Sequence, residues 1–504
     1  MRDDSHEGPE IGRIREWLAA EPAAECLDDL ATWRTHLEAL LSLDETLAAR
    51  VNCVGELATR LIDISDRFKP RLLTATLPLV RELHAGVIEL VRDLHEVGQL
   101  FAVDEEVEAV DDDAVVEAAA WQMRLVGEAF LLSCMGGVEP PHPLWRTANR
   151  LVMRHQRLVE SLTPGQARSA SVGALLGIYK RLLATSVLQP ESLTARELAW
   201  VYEYLDIVAG ATELSWHPLQ PESSVFWLDA TDEYPPVAQV RRPPLSKGRV
   251  LFFNALALAK RVDEQIEWLE ARIAEAEVVG IERDGELLEP ESSGLPLGLT
   301  PVEVLSLLRR MRERWAAPQS REQPRRRKLY TVQVCLGLRE LWRMHKRGRP
   351  SDEVSEWMVY NESPGGYAII SVGGVHGAIS AGMALGLRRG IGEPWSICVV
   401  RWIRNDNPDE VEIGLQVVSE SCVPVSVAFR GASERTTTPA LLLPPREGRR
   451  QNAIMTPAGT YASRRFVMVR ETGQLYVAQG RVHSLDMQTA SIELYQYEID
   501  PYPI

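Results

Sequence analysis

Apolar positions recur at helical spacing through the first three hundred residues and at strand spacing through most of the rest. From Val80 onward, Leu83, Val87, Leu90, Val91, Leu94 and Val97 fall at i, i+3, i+4, i+7, which lays one apolar stripe along a helix. Leu258, Val262, Ile266, Leu269 and Ile273 repeat the pattern. Thr194-Ala-Arg-Glu197 has the form of a capping box, in which side chains satisfy the orphan N–H groups of a helix start, and predicts a helix through Leu198, Val201, Tyr202 and Leu205. Thr300-Pro301-Val-Glu303 is a second box, with proline where its missing N–H costs nothing, ahead of Val304, Leu307, Leu308 and Met311. Phe226–Asp229 and Val237–Val240 predict a short strand pair inside this helical region. No fixed repeat is present, so the helices fit either a solenoid of pairs or a bundle.

Beyond residue 320 the period changes to two. Trp357–Tyr360, Tyr367–Val372, Val399–Ile403 and Val411–Val417 read as strands, with a charged turn at Asn405–Glu410. Tyr461–Arg470, Leu475–Ser484 and Ala490–Tyr497 are three more strand-like runs, forming either a second small barrel or a sheet that extends the first. Arg343–Pro350 is expected to be an inserted basic loop.

A chain of 504 residues exceeds a single compact core and predicts two to four domains. Its 45% hydrophobic and 25% charged content is that of an ordinary globular protein. Six scattered cysteines without C-x-x-C pairs predict buried, reduced thiols. The polar, acidic start does not resemble a signal peptide, and no apolar run approaches the ~20 residues that span a bilayer, so a cytoplasmic location with no membrane association is expected. Charge is divided unevenly: residues 1–300 hold 28 basic and 50 acidic side chains, residues 301–504 hold 27 and 21. The acidic part, with Asp104–Glu106 and Asp111–Asp113, would repel nucleic-acid phosphates.

The basic surplus centres on Arg321-Glu-Gln-Pro-Arg325-Arg326-Arg327-Lys328, about forty residues ahead of Asn361-Glu-Ser363-Pro-Gly-Gly366. Arginine presents a planar fork that matches a phosphate or the O6/N7 edge of guanine bidentately, and a flat face that stacks on a base. Asn361 adds an amide, Ser363 a hydroxyl, and Gly365-Gly366 let backbone approach closely. Together the two segments resemble the paired ligand-binding motifs of the PilZ family, over about residues 320–425. The Trp402-bearing strand and the strand with Ile413-Gly-Leu415 fit the same family.

The resemblance implies a small β-barrel and a receptor for cyclic di-GMP. The implied ligand contacts are Arg321, Arg325, Arg326, Asn361, Ser363 and Gly366; Arg321 and Arg325 have the family spacing, with Arg326 and Arg327 as neighbouring alternatives. Gly373-Gly-Val-His376-Gly377 lacks a paired nucleophile, and no Walker, H-E-x-x-H, cyclase or phosphodiesterase motif is present, so no catalytic residue, metal or cofactor is expected.

The expected fold is multidomain α+β: an acidic helical interaction domain over 1–299, a helix and arginine-rich linker over 300–328, a PilZ-like β-barrel over 329–429 and a C-terminal β module over 430–504. The expected function is a cyclic di-GMP receptor, with no enzymatic activity, that passes binding to a protein partner through the helical domain. In this reading Arg321–Lys328 closes on the ligand and fixes the helical block against the barrel. The other readings are an interaction scaffold whose barrel binds no ligand, and a nucleic-acid-binding regulator, which the acidic half disfavours.

Overall fold

The computed structural model describes residues 9–43, 47–102, 113–155, 170–244, 248–279, 293–317, 325–348, 354–371, 375, 377–429, 437–446, 449, 451–460, 465–471 and 475–500. Asp104–Glu106, Asp111-Asp112, His376 and most of Glu282–Gly298, a stretch whose Glu, Pro, Gly and Ser content predicts a linker, lie outside them.

The helical region is built on the stripes read above. Leu83, Val87, Leu90, Val91, Leu94 and Val97 are all buried on the helix Arg81–Leu100. Both capping boxes form, opening the helices Ala195–Val208 and Pro301–Ala316. One apolar core runs through the helices from Pro9–Ala19 to Ala195–Val208 and takes in Leu256–Val279 and Pro301–Ala316. The last of these is anchored by Trp315, fully buried, whose Nε1 donates to Ala184 O at 3.1 Å. The predicted strand pair belongs to a four-stranded sheet of order β1 (Glu213–Ser215), β4 (Val250–Asn254), β2 (Val225–Asp229), β3 (Val237–Ala238).

Two closed barrels follow. The first comprises β5 (Arg326–Leu336), β6 (Val354–Ser363), β7 (Gly366–Ser371), β8 (Ala384–Arg388), β9 (Ser396–Asn407) and β10 (Glu410–Ser419), in the order β10-β7-β6-β5-β8-β9, with β9 and β10 completing the ring. Val334, Trp357, Val359, Ile369, Leu385 and Ile413 fill it. The second comprises β11 (Val423–Phe429), β12 (Thr438–Leu443), β13 (Ala453–Pro457), β14 (Arg465–Arg470), β15 (Tyr476–Gln488) and β16 (Ile492–Ile499), in the order β11-β12-β13-β16-β15-β14, closed by β11 against β14. Phe466 and Tyr495 meet edge-on in its interior at 5.9 Å.

The basic stretch from Arg343 is not a loop. Through Arg347 it belongs to an amphipathic helix, Leu338–Arg347, that buries Leu338, Leu341 and Met344 in an apolar seam shared by the two barrels. Trp342 Nε1 donates to Val425 O at 2.7 Å, and Lys346 pairs with Glu471 at 2.6 Å, tying this helix to the second barrel.

The end of β9 fastens the first barrel to the helical block. Asn405 is fully buried; its backbone N–H donates to Gly137 O at 2.8 Å, and its carbonyl lies 2.9 Å from His84 Nε2. Glu139 N donates to Asp406 Oδ1 at 2.7 Å, and Arg81 pairs with Asp409 at 2.6 Å. The charged turn read from the sequence is thus partly a docking surface.

Candidate functional site

Asn361-Glu-Ser363 ends β6, Pro364-Gly365 makes the turn, and Gly366 starts β7, with Ser363 and Gly366 paired across the hairpin. The hairpin is pinned on its far side. A Cβ at Gly366 would sit 2.0 Å from Leu415 O of β10, so only glycine lets these strands pair here. Ser363 Oγ contacts Gly366 O at 3.4 Å across the turn.

Two bulges shape the face of the sheet that carries this hairpin. Val359 and Asn361 of β6 pair with the consecutive residues Ile369 and Ala368 of β7, leaving Tyr360 as the extra residue. On β9, Trp402 and Val400 pair with the consecutive Gly414 and Leu415 of β10, leaving Arg401 as the extra one. A bulge breaks the strict alternation of side chains and re-aims those beside it. Gly414 makes room for Trp402: a Cβ there would lie 1.8 Å from the indole Nε1. Trp402 therefore lies across β10, with the Arg404 guanidinium 5.7 Å from its ring centre.

These residues line a cleft of about 820 Å³ between the first barrel and the helical block. The barrel wall is Arg325, Tyr360–Ser363, Gly365–Ala368, Arg401, Trp402, Arg404 and Gly414–Gln416; the helical block supplies Gln189, Glu191, Arg241 and Arg314. Five arginines face two glutamates, Glu191 and Glu362, so the lining is net positive. Asn361 Oδ1 is buried there without a hydrogen-bond partner among the described residues, a state that costs free energy until a donor arrives. Guanine carries such a donor edge, and the arginines offer forks to its acceptor edge or to phosphate. The exposed part of Trp402 offers a stacking surface for a base.

Electrostatics follow from burial. Burial, then the nearby Arg401, hold the Arg314 guanidinium down to about 10. Arg401 is also lowered, chiefly by burial. Tyr360 is pushed up to about 12, first by burial and then by Glu412, whose carboxylate accepts its hydroxyl at 3.3 Å.

Of the residues named from the sequence, Arg325, Asn361, Ser363 and Gly366 come together in this cleft. Arg326 opens β5 opposite Glu362 and is exposed outside the cleft lining. Arg321 lies outside the described residues. Sequence reasoning missed Arg241, Arg314, Arg401 and Arg404 as cleft residues. The one local signal was Arg401-Trp402-Ile403-Arg404, a strand with two arginines beside an aromatic.

Comparison with known proteins gives the class. Residues 343–424 match the middle PilZ domain of the family described as cyclic-di-GMP receptor FimW, and residues 12–221 match the N-terminal domain of that family. The first barrel is a PilZ domain, and the chain is a member of the PilZ family. Within it, the helical domain followed by the PilZ barrel reproduces the FimW domain order. The cyclic-di-GMP receptor FimW of Pseudomonas aeruginosa is 33% identical over 88 residues, which span 17% of this chain and only 14% of that receptor. The PilZ match covers the Asn361–Gly366 hairpin and β9–β10 but starts after β5, so Arg325 lies outside it.

Proposed function

We propose that this protein is a cyclic di-GMP receptor whose ligand occupies the cleft between the PilZ barrel and the helical block. The observation that carries the reading is the convergence on one cleft of about 820 Å³ of five arginines and Asn361, whose buried side-chain carbonyl has no partner among the described residues. That size falls in the ~300–1,000 Å³ range of small-molecule sites. The ligand is a dianion with two guanines, and each feature has a counterpart in the lining. Arg325 engages a guanine edge or phosphate, Asn361 and Ser363 bond the base or sugar, and Trp402 stacks. The resemblance to a receptor named for this ligand supports the same assignment.

Because the two walls belong to different domains, a ligand that touches both favours one arrangement of them over others. Binding is thereby converted into a change that a protein partner reads on the helical block. No step of this account involves catalysis, and the chain acts in the cytoplasm. Among the described residues, no helix is long and apolar enough to cross a membrane.

Calorimetry on the full chain tests the proposal. Cyclic di-GMP should give saturable heat, with weaker binding of the linear dinucleotide and of GMP, because only the cyclic dimer presents two guanines in one preorganised body. Absence of cyclic di-GMP binding, with salt-sensitive binding of generic DNA instead, would overturn it.

A further inference from the structure

The helix Pro301–Ala316 carries a row of arginines that the two motifs do not explain. Arg309 pairs with Glu270 at 2.7 Å, Arg312 with Asp263 at 3.0 Å, and Arg310 with the buried Glu197. Arg314 breaks this rule. It is half-buried, and its Nη1 donates to a neutral amide, Gln189 Oε1, at 2.6 Å. Across from it, Arg401 stands on the β9 bulge, also half-buried, with no hydrogen bond or ion pair to its guanidinium among the described residues.

Arg314 and Arg401 hold a defined place. Together with Gln416 they line both the ligand cleft and a second cavity of about 380 Å³ that reaches Asp486 and Gln488 of the second barrel. Arg325, Asn361 and Ser363 line only the first. The two arginines thus mark the inner end of the cleft, where both barrels and the helical block meet. Like charges in a partly desolvated seam repel: burial first, and then Arg401, hold Arg314 below its ordinary range, while Glu313 and Glu191 act in the opposite direction. A neutral base edge would hydrogen-bond these groups but leave the repulsion standing. An anion relieves it.

We infer that Arg314 and Arg401, with Arg241 at the cleft wall, form a second subsite that binds a phosphodiester of the cyclic dinucleotide, supplied jointly by the helical block and the barrel. This rests on the reading of the cleft as a cyclic di-GMP site, and it assigns the helical block a direct contact with ligand. The barrel alone holds the motif residues; the complete site needs Arg314. Affinity and domain arrangement are then the same event. Removing either arginine weakens binding and also removes repulsion from the free protein, so the free protein gains stability as the site is lost.

Full-length Arg314→Gln and Arg401→Gln test this, with Arg401→Lys as the charge-preserving control. Calorimetry with cyclic di-GMP should show each Gln variant weakened about tenfold or more, with part of the loss restored by the Lys variant. Thermal unfolding of the ligand-free Gln variants should occur at or above the wild-type midpoint, which shows that they fold. Wild-type binding with both Gln variants undiminished would overturn the subsite alone. A wild-type chain that does not bind cyclic di-GMP would overturn the reading of the cleft and the subsite with it.

Discussion

The side-chain carbonyl of Asn405 in β9 accepts the backbone N–H of Leu79 at 2.7 Å, joining residues 326 positions apart in the chain. The amide end of the same side chain donates to Asn407 O at 2.9 Å, so both polar ends are satisfied inside the interface. Arg401, Trp402 and Arg404 precede it on the same strand. The contact that docks the barrel is therefore continuous with the strand that lines the cleft.

Asn405→Ala should destabilise the free protein by ~1–3 kcal/mol, because it strands a buried Leu79 N–H at the interface. Thermal denaturation checks this. Cyclic di-GMP should recover part of the loss by mass action, since it binds the docked state. An unchanged midpoint would mean that this contact does not hold the two domains together.

Arg325→Ala should weaken cyclic di-GMP by ~1.5–3 kcal/mol without affecting the fold, as expected for a charge-assisted contact. Asn361→Ala should weaken it by ~1–3 kcal/mol and leave the free protein as stable or more so, because it removes an unsatisfied buried carbonyl. Calorimetry paired with thermal unfolding separates these outcomes from simple misfolding. Loss of stability in Asn361→Ala would show that its amide is structural.

Gly366→Ala behaves differently from both. A Cβ 2.0 Å from Leu415 O forces β7 away from β10, so the barrel should lose ~2 kcal/mol or more and binding should fall with it. Chemical denaturation measures the effect. A fully stable Gly366→Ala chain would contradict the close approach.

Stability should fall as pH rises above about 10. Burial raises the pKa of Tyr179, Tyr202 and Tyr204 in the helical core, and lifts Tyr360 to about 12. Each folded value lies above the unfolded value of about 10, so the neutral phenol is favoured in the fold. The resulting stability is complete below about pH 10 and is lost as pH rises toward 12 and beyond. Denaturant midpoints that stay constant across that window would contradict the burial of these rings.

The helical stripes and both capping boxes were legible because local spacing determines them. The hairpin at Asn361–Gly366 was legible because Pro and Gly mark turns between alternating runs. The second barrel was only half visible. β14–β16 read as runs, but β11, β12 and β13 are short and contain Pro424, Pro439 and Pro457, which obscure a strand pattern. The helix Leu338–Arg347 was hidden by its charge, since only Leu338, Leu341 and Met344 are buried. In the cleft, Arg314 and Arg401 meet only through tertiary packing. No local pattern pairs residues that distant, and the bulge that singles out Arg401 depends on the register of β9 against β10.

Hydrogen exchange with and without saturating cyclic di-GMP tests most directly whether the ligand is held between the two domains. If it is, peptides covering Asn361–Gly366 and Arg325 on the barrel, and Gln189–Glu191 and Arg314 on the helical block, become protected together. Protection confined to Asn361–Gly366, with the helical-block peptides exchanging as before, would contradict it.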